Sequence, residues 1–192
     1  MIDYLAKTLS YIFDPFATSF FSVLLIVIYL DLSLESKIFW LAMVAVFMGL
    51  PPLSIYFYEK KVGKITDWFI TNRSQRKNVN LAWIAGSFTF SLFALFLEAP
   101  KFIFAFGVSF TVLSFLVTLI NFYWKISVHL VGITFFFLVA IWVNPKLLPG
   151  LTVLIFLVGW ARLRLKAHTF LQVFAGVLVT LVVVFVSFSF LV

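Results

Sequence analysis

The chain has 192 residues, 64% of them hydrophobic and 11% charged, with a formal net charge of +7 and a mean hydropathy of +1.17. Apolar runs recur near the ~20 residues needed to cross a bilayer, which excludes a soluble domain and predicts an integral, multi-pass membrane protein. Cysteine is absent, so disulfides, thiolate nucleophiles and thiolate-bound metals are excluded as well.

In chain order, residues 1–16 do not read as a cleaved signal peptide. Ile2, Leu5, Leu9, Ile12, Phe13 and Phe16 recur at helical spacing, opposite Asp3, Lys7, Ser10 and Asp14, the pattern of an amphipathic helix lying in the membrane interface. Spans are predicted at 17–34, 38–58, 81–97, 102–124, 129–143, 151–162 and 169–192, giving six crossings or seven according to whether the first only dips into the membrane. Pro51-Pro52 falls inside the second and is expected to kink it, because proline has no backbone donor. The last span is rich in β-branched residues, yet its uncharged length favours a helix over a strand. No repeat or linker divides the chain, so the expectation is one domain over 1–192: an all-α bundle of transmembrane helices with its active site at one membrane face.

The connections are unequal. Most are brief, whereas 59–80 is a long basic loop with Lys60, Lys61, Lys64, Asp67, Arg73, Arg76 and Lys77. An even number of crossings separates this loop from Lys125, and another even number separates His129 from Arg162, so all of them are expected on one face. Ten of the fourteen basic residues belong to that face, opposed there by Glu59 and Asp67 alone. This imbalance disfavours a bound metal cation and favours an anion or an anionic lipid surface, although positive-inside bias accounts for part of it.

Only two histidines occur, in Lys125-Ile126-Ser127-Val128-His129 and in Arg162-Leu163-Arg164-Leu165-Lys166-Ala167-His168. Imidazoles at the ends of membrane helices are often merely interfacial. A pair flanked by cations points instead to acid/base or nucleophilic work on an anion. Arg162 and His168 are six apart and would diverge by about 120° on one helix. A break is therefore expected between them, with His168 at the start of the last helix, Gln172 on the same face, and Gly176 permitting a close helix neighbour.

These residues resemble the signature of the type-2 phosphatidic acid phosphatase superfamily, which also includes the vanadium haloperoxidases. Ile126-Ser127-Val128-His129 is similar to the family's Pro-Ser-Gly-His. Ala161-Arg162, five residues, His168, three residues and Gln172 is similar to its Ser-Arg-x5-His-x3-Asp, and Val173-Phe174-Ala175-Gly176 resembles the continuation. The stretch from Lys64 to Arg76 loosely resembles the first motif, Lys-x6-Arg-Pro. The resemblance implies that His168 attacks phosphorus to form a phosphohistidine and that His129 protonates the departing oxygen. By the same resemblance Arg162, Arg73 or Arg76, Ser127 and a lysine, Lys64 by position with Lys125 beside the second motif, hold the phosphate oxygens. Gln172 stands where the family has the aspartate that orients the nucleophile, and Asp67 is the acid on that face that could replace it.

The expected function is that of a membrane phosphatase acting on the phosphate or pyrophosphate terminus of a lipid, with no metal or other cofactor and no nucleic-acid partner. Paired carboxylates of the Mg²⁺-dependent prenyl-phosphate type are absent. Two other readings are a catalytically silent anion- or lipid-binding or transport protein that kept the pocket, and a structural protein whose basic loops bind anionic lipids.

Overall fold

A computed structural model describes residues 1–192, the side chain of Pro149 excepted. It is all-helical, with no strand among the described residues: α1 (Ile2–Ile12), α2 (Pro15–Tyr29), α3 (Leu34–Val44), a π turn (Ala45–Gly49), α4 (Leu50–Lys61), a 3₁₀ turn (Arg73–Arg76), α5 (Lys77–Phe96), α6 (Lys101–Tyr123), α7 (Val128–Val143), a second 3₁₀ turn (Pro145–Leu147), α8 (Leu148–Arg164) and α9 (Phe170–Leu191). Four helical stretches are long and apolar enough to cross a membrane: Leu34–Lys61, Arg73–Phe96, Lys101–Tyr123 and Phe170–Leu191. The pair α1 and α2, bent by 50° at its break, makes a fifth if it is counted as one span. The expected crossing at 151–162 lies on α8, which has 17 residues and ends in Arg162 and Arg164, so it falls short of that length. The crossing at 129–143 lies on α7, a shorter apolar helix.

Local sequence explains where the helices start. Asp14 caps α2, its carboxylate accepting a hydrogen bond from Phe16 N at 2.9 Å, and Pro15 follows at the first helical position, where its missing donor costs nothing. Ser33 caps α3, and Thr169 with Gln172 forms a capping box on α9. The prolines expected to kink the second span do not break it; α3, the π turn and α4 form one 28-residue helix. Pro51 lacks the N–H that would bond to Phe47 O. The wider π turn absorbs this loss, and Gly86 of α5 accommodates the freed carbonyl: a Cβ there would collide with Phe47 O.

α7 is the central helix, packed against α2, α8 and α9, while α6 joins α9 to α5, and α5 meets α4 and the π turn. The polarity of the bundle is inverted relative to a soluble protein. Phe190, Phe96 and Phe156 are 86%, 79% and 72% exposed, whereas Ser22, Glu59, Arg76, Ser87, Ser127, Arg162 and Thr180 are buried. An apolar exterior of this extent matches hydrocarbon rather than water. α1 follows the same rule. Its apolar residues Ile2, Leu5 and Ile12 are exposed, and Ala6 and Ser10 face the protein.

Candidate functional site

The long loop, the second histidine segment and the α8–α9 connection meet at one end of the bundle. α8 ends in a Schellman motif: Lys166 takes a positive φ of 52°, Lys166 N donates to Leu163 O, and Ala167 N donates to Arg162 O. This stop places His168 just outside α9. Two contacts then join the histidine segments, Ser127 N to Gln172 O at 3.2 Å and Lys125 Nζ to Ala167 O at 2.8 Å. Gly176 makes the approach possible, since a Cβ there would lie 2.9 Å from Ser127 O.

His168 has a defined tautomer. Its Nδ1 lies 3.2 Å from Gln172 Oε1, and that same oxygen accepts from Thr169 N at 3.2 Å. An amide oxygen only accepts, so His168 Nδ1 carries the hydrogen and Nε2 keeps its lone pair. Burial, reinforced by the charges of Arg162, Arg76 and Lys125, depresses the imidazolium to about 3. The ring is therefore neutral at physiological pH. That is the state a nitrogen nucleophile needs.

His129, 4% exposed, is fixed from the other side of the bundle. Its Nε2 donates to Ser10 O of α1 at 3.2 Å, leaving Nδ1 as the free ring nitrogen. The Phe69 ring contacts both His129, at a centroid separation of 5.1 Å, and the Arg162 guanidinium, at 5.0 Å. His129 also lies within electrostatic reach of Arg162, Arg76 and His168.

The cations divide into two groups. Arg76 is buried and donates to Ile70 O, Asn121 Oδ1 and Ile126 O at 2.8, 3.3 and 3.2 Å. Arg162 is 3% exposed, yet its Nε and Nη1 have no partner, and neither does the buried Ser127 Oγ. Lys125, half-buried beside His168, is held below the usual lysine range by burial first and then by Arg76 and Arg162. Two expected phosphate holders lie elsewhere. Arg73 is exposed and spends Nη1 on Asn121 O and Phe122 O, tying the loop to the end of α6. Lys64 is exposed and lines a separate cleft with Glu59, Ser74, Gln75, Lys77 and Asn78.

Asp67 makes no hydrogen bond to His168 among the described residues. Its carboxylate accepts from Phe69 N, Thr71 N and Thr71 Oγ1 within its own loop, shaping the turn that presents Phe69. Among the described residues Gln172 is the hydrogen-bond partner of the His168 imidazole. Glu59, the other acid on that face, is bonded to Asn78 Nδ2 at 2.6 Å.

The acid that sequence reading missed is Asp14. It is 8% exposed and lines a cavity of ≈ 60 Å³ with Trp68, Phe69, Arg76 and His129. Burial raises its carboxyl to about 6, against the opposing effects of the Phe16 N and Trp68 hydrogen bonds and of the Arg162 charge. The Asp14-Pro15 pair is a helix-start signal, which could have placed Asp14 at a helix junction but not in this cavity. Asn121 and Phe69 carried no signal.

Among the described residues no three His, Asp or Glu side chains are placed to hold one metal ion; the groups gathered at this end are cations, two imidazoles, a hydroxyl and one carboxylate. Comparison with protein families, curated proteins and solved structures returns no match.

Proposed function

We propose that this protein is an integral, multi-pass membrane phosphatase that removes a terminal phosphate or pyrophosphate from a lipid through a phosphohistidine on His168. The observation that carries the reading is the pairing of a buried, unpartnered Arg162 with a neutral His168 whose Nε2 lone pair is free. An unpaired buried guanidinium is costly unless an anion comes to it. Phosphoryl transfer needs mainly positioning and neutralisation of the equatorial oxygens.

In the proposed cycle Arg162, Ser127 Oγ and Lys125 hold the phosphate oxygens, with Arg76 adding charge from behind. His168 Nε2 forms a bond to phosphorus as the bond to the leaving oxygen breaks, and that oxygen takes a proton from Nδ1 of His129, which enters the step as the imidazolium once the bound phosphate dianion offsets the neighbouring cations, Nε2 keeping its hydrogen bond to Ser10 O. Water then attacks phosphorus, His129 recovers a proton from it, and the P–N bond breaks to release phosphate and neutral His168. Cationic side chains supply the charge neutralisation, so no cofactor enters the cycle.

A lipid substrate is supported by a second cavity, largely apolar and lined by Phe110, Leu113, Val131 and Phe135, which shares Pro15, Asn80, Trp83 and Val128 with the Asp14 cavity. A phosphate at the polar site would have an apolar wall beside it for the first carbons of an alkyl or isoprenoid chain, the remainder staying in the bilayer.

Release of inorganic phosphate from mixed micelles of phosphatidate, phosphatidylglycerophosphate and isoprenyl pyrophosphate tests the reading. Turnover is expected to survive EDTA, to be inhibited by vanadate, and to vanish with the phosphoenzyme in His168→Ala. Complete dependence on Mg²⁺ would overturn the mechanism. The bond from His129 Nε2 to Ser10 O and the glutamine at 172 favour a second reading, a silent anion- or lipid-binding protein. In that case the lipid phosphates bind without phosphate release.

A further inference from the structure

The geometry points to Asp14 as a built-in counter-anion of the site, a carboxylate that must take up a proton when a phosphate group binds beside Arg162. This inference rests on the phosphate-site reading above and adds to it a coupling between anion and proton.

Asp14 occupies the junction of α1 and α2, far in sequence from every motif residue. One oxygen caps α2 through Phe16 N, a role that needs only a side-chain acceptor. A cap is ordinarily at the surface, whereas this one is 8% exposed and lines the cavity with His129, Arg76, Trp68 and Phe69. Asp14 and Arg162 act on each other through space, but they form no ion pair: among the described residues the only salt bridge joins Arg164 to Asp3. Arg162 therefore has a nearby negative charge while Nε and Nη1 remain free for a ligand.

The charged and titratable groups near Asp14 are Arg162 on α8 and, across the same cavity, Arg76 on the first 3₁₀ turn and His129 on α7; Asp67 in the long loop and His168 before α9 act on Arg162 in turn. In the empty site an ionised Asp14 offsets part of this positive excess. A tetrahedral dianion at Arg162 takes over that task. Two anions cannot then lie close to one guanidinium in a region of low dielectric without strong repulsion. The carboxylate can relieve it by protonation, and with a carboxyl already raised to about 6 it is close to doing so.

Tungstate is a suitable probe because it stays a dianion near neutrality, so protons taken up come from the protein side. Full-length protein in detergent would be titrated with tungstate by calorimetry at about pH 7.5, in buffers of different ionisation heat. Wild type is expected to take up about one proton more per tungstate than Asp14→Asn. Its affinity should fall about tenfold per pH unit relative to that variant above neutrality. Asn caps a helix as well as Asp, and Asp14→Ser, also a good cap, should behave like Asn; a purely structural Asp14 would leave the proton count unchanged. An infrared difference spectrum of wild type with and without tungstate provides a check free of variants, since a new protonated-carboxyl band is expected. Equal proton counts in wild type and variants, or no such band, would overturn the role of Asp14 while leaving the anion site standing. A wild type that binds no tungstate would overturn the site itself and this inference with it.

Discussion

Arg76 and Arg162 are 5% and 3% exposed, and both lie where the long loop meets the helix ends, but their surroundings differ in kind. Around Arg76 the protein has closed every gap: Ile70 O, Asn121 Oδ1 and Ile126 O accept its hydrogens, so one side chain clasps the loop to α6 and to the start of the second histidine segment. Around Arg162 two buried nitrogens have no acceptor, and the nearest aromatic face is Phe69. A fold that can satisfy one guanidinium so thoroughly has left two nitrogens of the other without an acceptor, which is what the proposed anion site uses. Burial identifies both as important, and only hydrogen-bond satisfaction separates the clasp from the candidate binding group.

The largest effect is expected of Arg162→Leu. Turnover on lipid phosphates should fall by ~10²–10³, the usual cost of losing a charge-stabilising donor, while thermal stability in detergent stays level or rises because an unpaired buried charge is gone. A variant that unfolds would make Arg162 a structural residue like Arg76. The converse substitution, Arg76→Leu, should cost about 3 kcal/mol of stability through three lost hydrogen bonds to a charged group, read as an earlier thermal transition. Activity should decline only as far as the loop loosens.

Substitutions at Gln172 are expected to have smaller effects. Gln172→Asp keeps an acceptor for His168 Nδ1 and adds a charge that favours a cationic imidazole, so phosphoenzyme formation should hold or rise, by up to about tenfold. Gln172→Leu removes the acceptor, frees the tautomer and should lower turnover. Equal activity in both would remove Gln172 from the mechanism, and Asp67→Asn should then be no worse, because Asp67 serves its own turn.

The smallest expected effect is on the pH dependence of stability. Asp14 is raised to about 6 in the folded protein, so between its unfolded value of about 4 and about 6 the folded state binds more protons, and stability drains away as pH rises through that window. Asp14→Asn should therefore be more stable than wild type at about pH 8, with the advantage gone at about pH 4. His168 works in the opposite sense. Its folded value is depressed to about 3, so the stability of its neutral form is present above about 6.5 and is lost as pH falls toward 3. Melting curves of wild type, Asp14→Asn and His168→Ala across this range check the two signs separately.

Much of the site end could be read from the chain. The six-residue interval from Arg162 to His168 demanded a helix break, and the Schellman stop at Lys166 supplies it. The glycine at 176 permitted a close helix neighbour, and Ser127 O at the start of α7 is what approaches it. The choice among similar cations could not be read. Arg73 and Arg76 are one turn apart in a basic loop, and nothing local says that Arg76 turns inward to Ile126 O while Arg73 stays at the surface. Lys64 and Lys125 are equally ambiguous until the α8–α9 connection folds over Lys125.

Composition and periodicity by themselves determined that this chain is helical, that its exterior is apolar and that its first helix has two faces, because transfer to hydrocarbon and helical geometry act on each segment alone. They did not determine which face of that first helix turns inward; the periodicity of α1 is the same either way, and only packing against α8 brought Ala6 and Ser10 in and left Leu5 out. That packing also put Ser10 O against His129 and set Asp14 in the cavity wall. Contacts between residues more than a hundred positions apart are a property of the assembled bundle, where a buried polar atom must find a partner among whatever elements happen to meet it.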